Sequence, residues 1–310
     1  MNVYFQGATV VPCDEPGRII EAGIHVVDGR IQALDPPGVT PPPDAHLIDV
    51  GGRWIIPGLI QVHTHLVQAL FRGMADDLAL MDWLSGRIWP LEAAHDSDST
   101  YWSARLGLTE MLCSGTTAIL DMATVHHTGQ VFQAAQEAGI RASIGKAQMD
   151  RDNASGLSEP TDRSLQSACD LRDEWHGRDR LRYAFAPRFV PSCTEDLLTR
   201  TRDLARERGC LLHTHASENL DEVALVRELT GRDNVRYLDD IGFTGPDVVL
   251  AHCIHVSEQE VQLLASSGTT VAHCPSSNLK LASGIAPIPE LLHRGVRCGL
   301  GTDGAPCNNR

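Results

Sequence analysis

The residues with the clearest capacity for chemistry are histidines and acids that follow short apolar runs. His63-Thr64-His65 comes directly after the apolar run 54–60. Alternate side chains share a face of a β-strand, so this spacing points two imidazoles at one place, where a divalent metal ion can bind. Four further signals follow along the chain: His215-Ala216-Ser217-Glu218, Ala251-His252-Cys253, His273-Cys274-Pro275 and Gly301-Thr302-Asp303. Together they predict a metal-dependent hydrolase.

These residue types suit a catalytic zinc site. Such a site keeps three or four nitrogen and oxygen ligands plus a water whose pKa falls to about 7. The residues that fit the ligand shell are His63, His65, His215 and Asp303. Glu218, three residues beyond His215, is then expected just outside the metal, where it can move a proton to a leaving group. His252 is expected across the site, and Asp303 has a competing role as a turn or cap residue before Gly304.

The number and kind of metal ion follow from the ligand types. The fourth predicted strand ends at Pro187-Arg188 without a lysine, which favours one metal ion over a lysine-bridged pair. Lys146, after the third strand, is the remaining candidate for a bridge, although a pocket or surface cation is the expected role. Histidine and carboxylate ligands suit zinc and also iron. We therefore predict one divalent metal ion, with zinc favoured and iron as the alternative.

A change of pattern near residue 54 divides the sequence. Residues 1–53 combine short β-type runs with turns at Asp28-Gly29 and Pro36-Pro37-Gly38, which predicts a small β-sandwich-like unit. Residues 54–310 alternate apolar runs with helical patterns, which is typical of a parallel (β/α)8 barrel. The predicted strands are 55–62, 116–121, 140–145, 181–186, 210–214, 248–251, 269–272 and 296–301. Helical patterns occupy 100–113, 129–138, 195–208 and 257–266.

The candidate site residues fall at the C-terminal ends of the predicted barrel strands. His63 and His65 follow strand 1, His215 ends strand 5, His252 ends strand 6 and Asp303 ends strand 8. Active sites of such barrels lie at this face. The sequence ends at Arg310, soon after strand 8. We therefore expect it to lack the last barrel helix and the returning strands of the small unit.

Composition excludes several classes of protein. The chain has 310 residues, 42% hydrophobic and 21% charged, which is typical of a soluble globular protein. Its net charge of −14 argues against a nucleic-acid partner, and no apolar run is long enough to span a bilayer. The nine scattered cysteines lack a C-x-x-C pair, which predicts a reduced, cytoplasmic protein. Residues 2–7 match either a protease-tag remnant or a native first strand.

Long motifs around these residues resemble the amidohydrolase superfamily, specifically its mononuclear deaminase branch together with the triazine hydrolases. The resemblance covers nearly the whole chain and rests on PGLIQVHTH at 57–65, RGMADD at 72–77, IWPLE at 88–92, HASEN at 215–219, HCPSSN at 273–278 and GTDGA at 301–305. It implies that zinc or iron is held by His63, His65, His215 and Asp303. It gives Glu218 the role of proton shuttle and His252 that of a catalytic neighbour.

The reaction implied by the resemblance is hydrolytic replacement of an amino group, or sometimes chloride, on an aromatic N-heterocycle. An activated water attacks the ring carbon, Glu218 protonates the ring nitrogen and ammonia leaves. The 6-amino group of 5'-deoxyadenosine, methylthioadenosine or S-adenosylhomocysteine is the first expectation. Deamination of guanine or 8-oxoguanine and hydrolysis of a chlorotriazine or aminotriazine are the alternatives. The non-enzymatic alternative is an inactive barrel scaffold or binding protein.

The resemblance also implies a small-molecule heterocyclic substrate and, by family habit, a homo-oligomer. Gln68, Arg188 and His252 are the expected substrate-binding polar residues, with plain lining of the barrel mouth as the competing role of the first two. Trp83 is expected either to stack on the base or to bury a helix face. Some nucleoside-using relatives carry a carboxylate two positions before this tryptophan, where Met81 stands here.

Overall fold

The computed structural model describes residues 1–152 and 155–308. Contacts divide the chain into two compact units, Met1–Leu59 and Ile60–Arg310. Among the described residues, no helix combines the length and the apolar character needed to cross a membrane.

The first unit is a sheet around one long strand. Its strands are β1 Asn2–Val10, β2 Ile20–Val27, β3 Arg30–Asp35, β4 His46–Asp49 and β5 Trp54–Ile55. β2 pairs antiparallel with both β1 and β3, whereas β4 and β5 pair parallel with β1. Ala8, Val10, Ala22 and Ile24 form its small buried core. Residues 2–7 form part of β1, as the strand alternative for this segment expects.

The second unit is built on a mostly parallel sheet that is nearly closed. Its strands are β6 Leu59–Thr64, β7 Thr116–Met122, β8 Arg141–Gly145, β9 Ala147–Gln148, β10 Leu181–Pro187, β11 Leu211–Ala216, β12 Val248–His252, β13 Thr270–His273 and β14 Arg297–Leu300. The eight main strands follow chain order from β6 to β14, with β9 as a short addition to β10. An isolated parallel bridge between Thr64 and Asp303 links the two ends of that order.

Helices alternate with these strands. Their bounds are α1 Leu80–Trp83, α2 Trp89–Ala93, α3 Ser97–Cys113, α4 Thr128–Ala138, α5 Thr161–Trp175, α6 Glu195–Glu207, α7 Leu220–Thr230, α8 Asn234–Asp240, α9 Glu258–Ser267, α10 Pro275–Lys280, α11 Ile288–His293 and α12 Ala305–Asn308. Leu66–Phe71 and Val190–Ser192 are 3-10 turns, and Leu84–Ile88 is a π turn. This architecture confirms the predicted barrel with an N-terminal β unit.

The predicted strand 55–62 differs from the structure. Trp54–Ile55 pairs with β1 in the small sheet, and the barrel strand β6 begins at Leu59. Pro57-Gly58 separates the two because proline cannot donate to a sheet ladder and glycine weakens a strand interior. One apolar run therefore serves two sheets.

The barrel interior is filled by small residues below the site. Leu120, Ala184, Val249, Ala251 and Ala272 form a buried cluster on the inward faces of the strands. The larger core lies between the strands and the surrounding helices, where residues such as Phe132, Phe185 and Leu212 are fully buried. Small inward side chains leave room for imidazoles in the layer above.

Gly145→Ala tests how tightly β8 packs on β10. A Cβ added at Gly145 would lie 2.3 Å from the carbonyl oxygen of Ala184 and 2.7 Å from the Cβ of Ala186. We expect the free energy of unfolding to fall by about 1–3 kcal/mol, because two backbones of the barrel must move apart. Urea denaturation followed by tryptophan fluorescence measures the change.

Gly86→Ala is the matched control, because an added Cβ there meets no heavy atom within 4 Å. It should change the free energy of unfolding by less than about 0.5 kcal/mol. Equal effects of the two substitutions would show that the close approach of β8 to β10 does not constrain the barrel.

Candidate active site

Four polar side chains converge at the C-terminal ends of the barrel strands. His63 lies in β6 and His65 directly follows it, His215 lies near the end of β11 and Asp303 follows β14. Their ligand atoms all lie within 4.8 Å of one another, and all four residues are buried. The structure therefore brings together the complete set of predicted metal ligands.

The ring nitrogens of the three histidines have defined directions. His65 Nδ1 donates to the carbonyl oxygen of Met122 at 2.7 Å, and His215 Nδ1 donates to that of Arg188 at 2.7 Å. In neutral rings each Nε2 then carries a lone pair, and these two Nε2 atoms face each other at 3.2 Å. Nε2 of His63 has no hydrogen-bond partner among the described residues. Buried lone pairs that converge in this way fit a bound cation.

Burial keeps the imidazoles in the form that ligates metals. Desolvation lowers the pKa of His65 to about 4, and the neighbouring His63 adds to this shift. Desolvation also lowers the pKa of His63 and of His215. Neutral imidazole is the metal-binding state of histidine, so the lowered pKa values favour binding of a metal cation over protonation of the rings.

Asp303 is fixed by contacts from different parts of the barrel. Its Oδ1 lies 3.3 Å from Nε2 of both His63 and His65, and its Oδ2 accepts from Ser277 Oγ at 2.5 Å. Its backbone N donates to the carbonyl oxygen of His63 at 3.1 Å. The φ of Asp303 is 63°, a left-handed value that is unfavourable for a residue with a Cβ. Such strain persists where the surroundings over-determine the conformation, as at ligand-binding positions.

His252 and Glu218 lie across from the ligand set. His252 Nδ1 donates to Asn278 Oδ1 at 2.9 Å, while its Nε2 lies 3.4 Å from Glu218 Oε2 and 3.9 Å from Asp303 Oδ2. Burial, reinforced by the charge of Asp303, raises the pKa of Glu218 well above its ordinary value. A carboxyl group in such surroundings can carry a proton near neutral pH.

The loop that carries Glu218 is held by a neighbouring acid. Glu222 Oε2 accepts from the backbone N of Glu218 at 2.6 Å and from that of Asn219 at 3.4 Å, and its Oε1 accepts from Asn234 Nδ2 at 2.5 Å. Asn219 and Glu222 also form the capping box that starts α7. The helix start thus fixes the position of Glu218.

A pocket opens beside the ligand set. It encloses about 380 Å³, including space open to solvent, which is near the lower end for small-molecule sites. Its lining residues are His65, Gln68, Leu80, Trp83, Leu84, Arg188, Phe189, His215, Glu218, His252 and Asp303. All the predicted substrate-binding residues are therefore present in the lining. Trp83 also packs in an apolar cluster with Leu80 and Ile88, so its position accommodates both of its expected roles.

Glu92 joins two of the pocket residues. Its Oε1 accepts from Gln68 Nε2 at 2.8 Å and from Arg188 Nη2 at 3.0 Å. Its Oε2 accepts from Arg188 Nη1 at 2.7 Å and from Thr124 Oγ1 at 3.0 Å. Burial acts to raise the pKa of Glu92, but the charge and hydrogen bonds of Arg188 outweigh it and hold this pKa low. The sequence contains Glu92 in the IWPLE segment without any spacing that marks its role.

Further contacts of the site were not predicted. Ser277 and Asn278, which orient Asp303 and His252, appear in the sequence only within the HCPSSN segment. His213 contacts His63, and the His213-Thr214-His215 spacing, the same as at 63–65, is a signal that could have identified it.

Two further residues of the sequence interpretation lie outside the ligand set. Lys146, expected to be a pocket or surface cation, is buried in the lining of a second pocket, where its Nζ donates to Glu159 Oε2 at 2.5 Å and to the carbonyl oxygen of Val125 at 2.6 Å. His273 ends β13 as expected and belongs to neither group of potential ligands found among the described residues.

Comparisons with known proteins place this site in a class. The model of the Amidohydrolase family matches residues 54–310. The chain belongs to the amidohydrolase family. The prediction of a hydrolase acting on carbon–nitrogen bonds other than peptide bonds is confirmed.

Curated relatives cover most of the chain. The chain is 41% identical over 298 residues to the 5'-deoxyadenosine deaminase of Methanothermobacter thermautotrophicus. This match spans 95% of this chain and 68% of the relative. The chain is 40% identical over 303 residues to the 5-methylthioadenosine/S-adenosylhomocysteine deaminase of Syntrophobacter fumaroxidans. This match spans 97% of this chain and 68% of the relative.

Solved structures show the same fold. Guanine deaminase from C. acetobutylicum with bound guanine has a TM-score of 0.92 at 28% identity and covers 100% of this chain and 77% of its own. An adenosine deaminase from Xanthomonas campestris with bound zinc has a TM-score of 0.88 at 31% identity, covering 99% and 70%. Atrazine chlorohydrolase from Arthrobacter aurescens complexed with zinc has a TM-score of 0.91 at 28% identity, covering 99% and 73%. The two zinc-containing neighbours, together with the buried group of His63, His65, His215 and Asp303, confirm the prediction of a single divalent metal ion, with zinc favoured.

A double-mutant cycle tests the pairing of Glu92 with Arg188. Glu92→Gln and Arg188→Met should each lower the free energy of unfolding by about 3–5 kcal/mol, because each leaves a buried charge without its partner. The double variant should lose less than the sum of the two, with a coupling of about 2 kcal/mol in urea denaturation.

The exposed pair Arg200 and Asp196, 3.1 Å apart on α6, is the control cycle. Its coupling should stay below about 1 kcal/mol, because solvent screens exposed ion pairs. Additive effects at Glu92 and Arg188 would contradict the proposed dependence of one charge on the other.

Proposed function

We propose that this chain is a hydrolytic deaminase that releases ammonia from the 6-amino group of an adenosine derivative of the 5'-deoxyadenosine, methylthioadenosine or S-adenosylhomocysteine type. The observation that carries the proposal is the position of Glu218, a buried carboxyl in the pocket wall, 3.4 Å from His252 and beside four convergent ligands. The names and the identity of the two curated relatives support this substrate class.

The residues proposed to hold the metal are His63, His65, His215 and Asp303. One divalent ion in such a site supplies a Lewis acid and lowers the pKa of water to about 7. Glu218 takes a proton from the attacking water and delivers it to the ring nitrogen beside the attacked carbon, which prepares loss of ammonia. His252, held by Asn278, presents Nε2 to the place where charge develops.

Binding of the ring is assigned to the pocket wall. Arg188 and Gln68 are proposed to orient the heterocycle by hydrogen bonds, and Glu92 fixes both side chains. Trp83 is proposed to contact the ring face while its other side packs in the apolar cluster. Met81 offers no carboxylate to hold a ribose, so recognition of the sugar must come from other groups of the pocket.

Guanine or 8-oxoguanine deamination is the second candidate. Gln68 Nε2 bonds Glu92, which leaves the buried Oε1 of Gln68 without a partner among the described residues, and Arg188 lines the same pocket. An acceptor and a donor in one pocket can complement the N–H and carbonyl edge of an oxopurine. The guanine-bound structural neighbour supports the same candidate.

Triazine hydrolysis is the third candidate, and an inactive barrel is the alternative outside catalysis. Loss of chloride needs no proton, so a dechlorinase would depend less on Glu218 than a deaminase does. A folded chain that binds no metal would favour the scaffold.

Glu218→Gln tests the deaminase directly. Ammonia release from 5'-deoxyadenosine by the zinc-loaded chain should fall by at least about 100-fold, because the amide cannot transfer the proton. Zinc bound per chain should stay unchanged, because Glu218 is not in the proposed ligand set. Ultraviolet absorbance and an ammonia assay follow turnover of 5'-deoxyadenosine, methylthioadenosine, guanine and a chlorotriazine side by side.

Glu228→Gln, an exposed acid on the same helix α7, is the control and should keep full activity. Turnover of guanine alone would replace the adenosine proposal with the second candidate. Dechlorination that survives Glu218→Gln would favour the third. Absence of turnover on all four compounds by the zinc-loaded chain would contradict the proposed activity.

We also propose that the enzyme is cytoplasmic and forms a homo-oligomer. All nine cysteines are unpaired, which suits a reducing compartment. Light scattering coupled to size-exclusion chromatography should give a mass that is a multiple of the chain mass, and a mass equal to one chain at micromolar concentration would contradict the oligomer.

A further inference from the structure

His213 lies in the barrel interior beneath the proposed metal site. It is two residues before His215 on β11, so both side chains point to the same face of the strand. Its Nε2 lies 2.8 Å from Nδ1 of His63, and the two rings meet edge to face with centroids 4.9 Å apart. Both rings are fully buried.

This contact differs from those of the other two ligand histidines. His65 and His215 each donate Nδ1–H to a backbone carbonyl, which can only accept. The partner of His63 is another imidazole, which can accept or donate according to its tautomer. The proton between His63 and His213 can therefore belong to either ring.

Metal ligation allows only one of the two arrangements. If Nε2 of His63 binds a metal ion, its ring proton must lie on Nδ1, and Nε2 of His213 must accept it. In the opposite arrangement, Nε2 of His213 donates to Nδ1 of His63, and the ring proton of His63 lies on Nε2. That proton points to Asp303 Oδ1, 3.3 Å away, and it blocks the nitrogen that would bind the metal. The accepting arrangement leaves a proton on Nδ1 of His213, which has no hydrogen-bond partner among the described residues.

We infer that His213 is a positioning residue for the metal site: by accepting the Nδ1–H of His63 through its own Nε2, it holds His63 in the tautomer that can bind the metal. A buried ring whose Nδ1 lacks a hydrogen-bond partner among the described residues is costly for the fold alone, which favours a role in the site. The inference rests on the proposed role of His63 as a ligand.

The first test measures zinc affinity by competition with a chromophoric chelator. His213→Leu should weaken zinc binding by about 10- to 100-fold, which is typical of losing the partner of a ligand histidine. His213→Gln can place an amide oxygen near the position of Nε2, so it should lose less than about tenfold. His176→Leu, a histidine that accepts from the backbone N of Tyr183 at the start of β10, is the control and should keep the wild-type zinc affinity.

Thermal unfolding of the metal-free variants separates affinity from folding. His213→Leu removes the unpartnered Nδ1 of His213 but also leaves Nδ1 of His63 without a partner, so the two effects oppose each other and the metal-free unfolding midpoint should stay close to that of wild type. A midpoint that falls together with an unchanged zinc affinity would assign His213 a structural role only and overturn the inference. Equal zinc affinity of wild type, His213→Leu and His213→Gln would do the same.

Nitrogen-15 spectra of the histidine rings in the zinc-loaded wild type provide a test that needs no variant of His213. The ring proton of His213 is expected on Nδ1 and that of His63 on Nδ1. A proton on Nε2 of His213 would overturn the inference. Failure of the wild type to bind zinc, or unchanged binding in His63→Ala, would instead overturn the proposed metal site.

Discussion

The convergence of three buried imidazoles and one buried carboxylate is the constraint on which the site depends. Their ligand atoms lie within 4.8 Å of one another, and burial removes most of the water from each group. The atoms that face away from the centre must find partners in the protein. Backbone carbonyls, the Ser277 hydroxyl and the His213 ring provide them, so the surroundings of the ligands are as specific as the ligands themselves.

One residue contacts both the proposed metal ligands and the proposed substrate-binding residues. Arg188, at the end of β10, accepts the Nδ1–H of His215 through its backbone and bonds Glu92 through its side chain. Glu92 in turn holds Gln68, which follows His65 by three residues. The residues proposed to bind the ring and those proposed to bind the metal are therefore linked through Arg188, and we expect a substitution there to act on both sets.

Three strand ends at the candidate site have a strained backbone. Ser217, His252 and Asp303 have φ values of 54°, 74° and 63°, although none is a glycine. Each such residue costs about 1–3 kcal/mol, which the rest of the barrel must offset. Asn278 and Ser277 of α10 bond His252 and Asp303, and Glu222 of α7 accepts from the backbone N of Glu218, the residue after Ser217.

The sequence by itself determined the barrel, the order of its strands and the four convergent candidate ligands, because strand periodicity and strand-end histidines are local patterns. It could not place the partners of those ligands. Glu92 and Arg188 are 96 residues apart, and His63 and His213 are 150 apart, so no local spacing links them. The sequence also could not show that the predicted strand 55–62 is divided, because its first part pairs with β1 in the small sheet and its second part forms the barrel strand β6. These features were decided by tertiary structure, because closing the barrel chooses which buried polar groups meet.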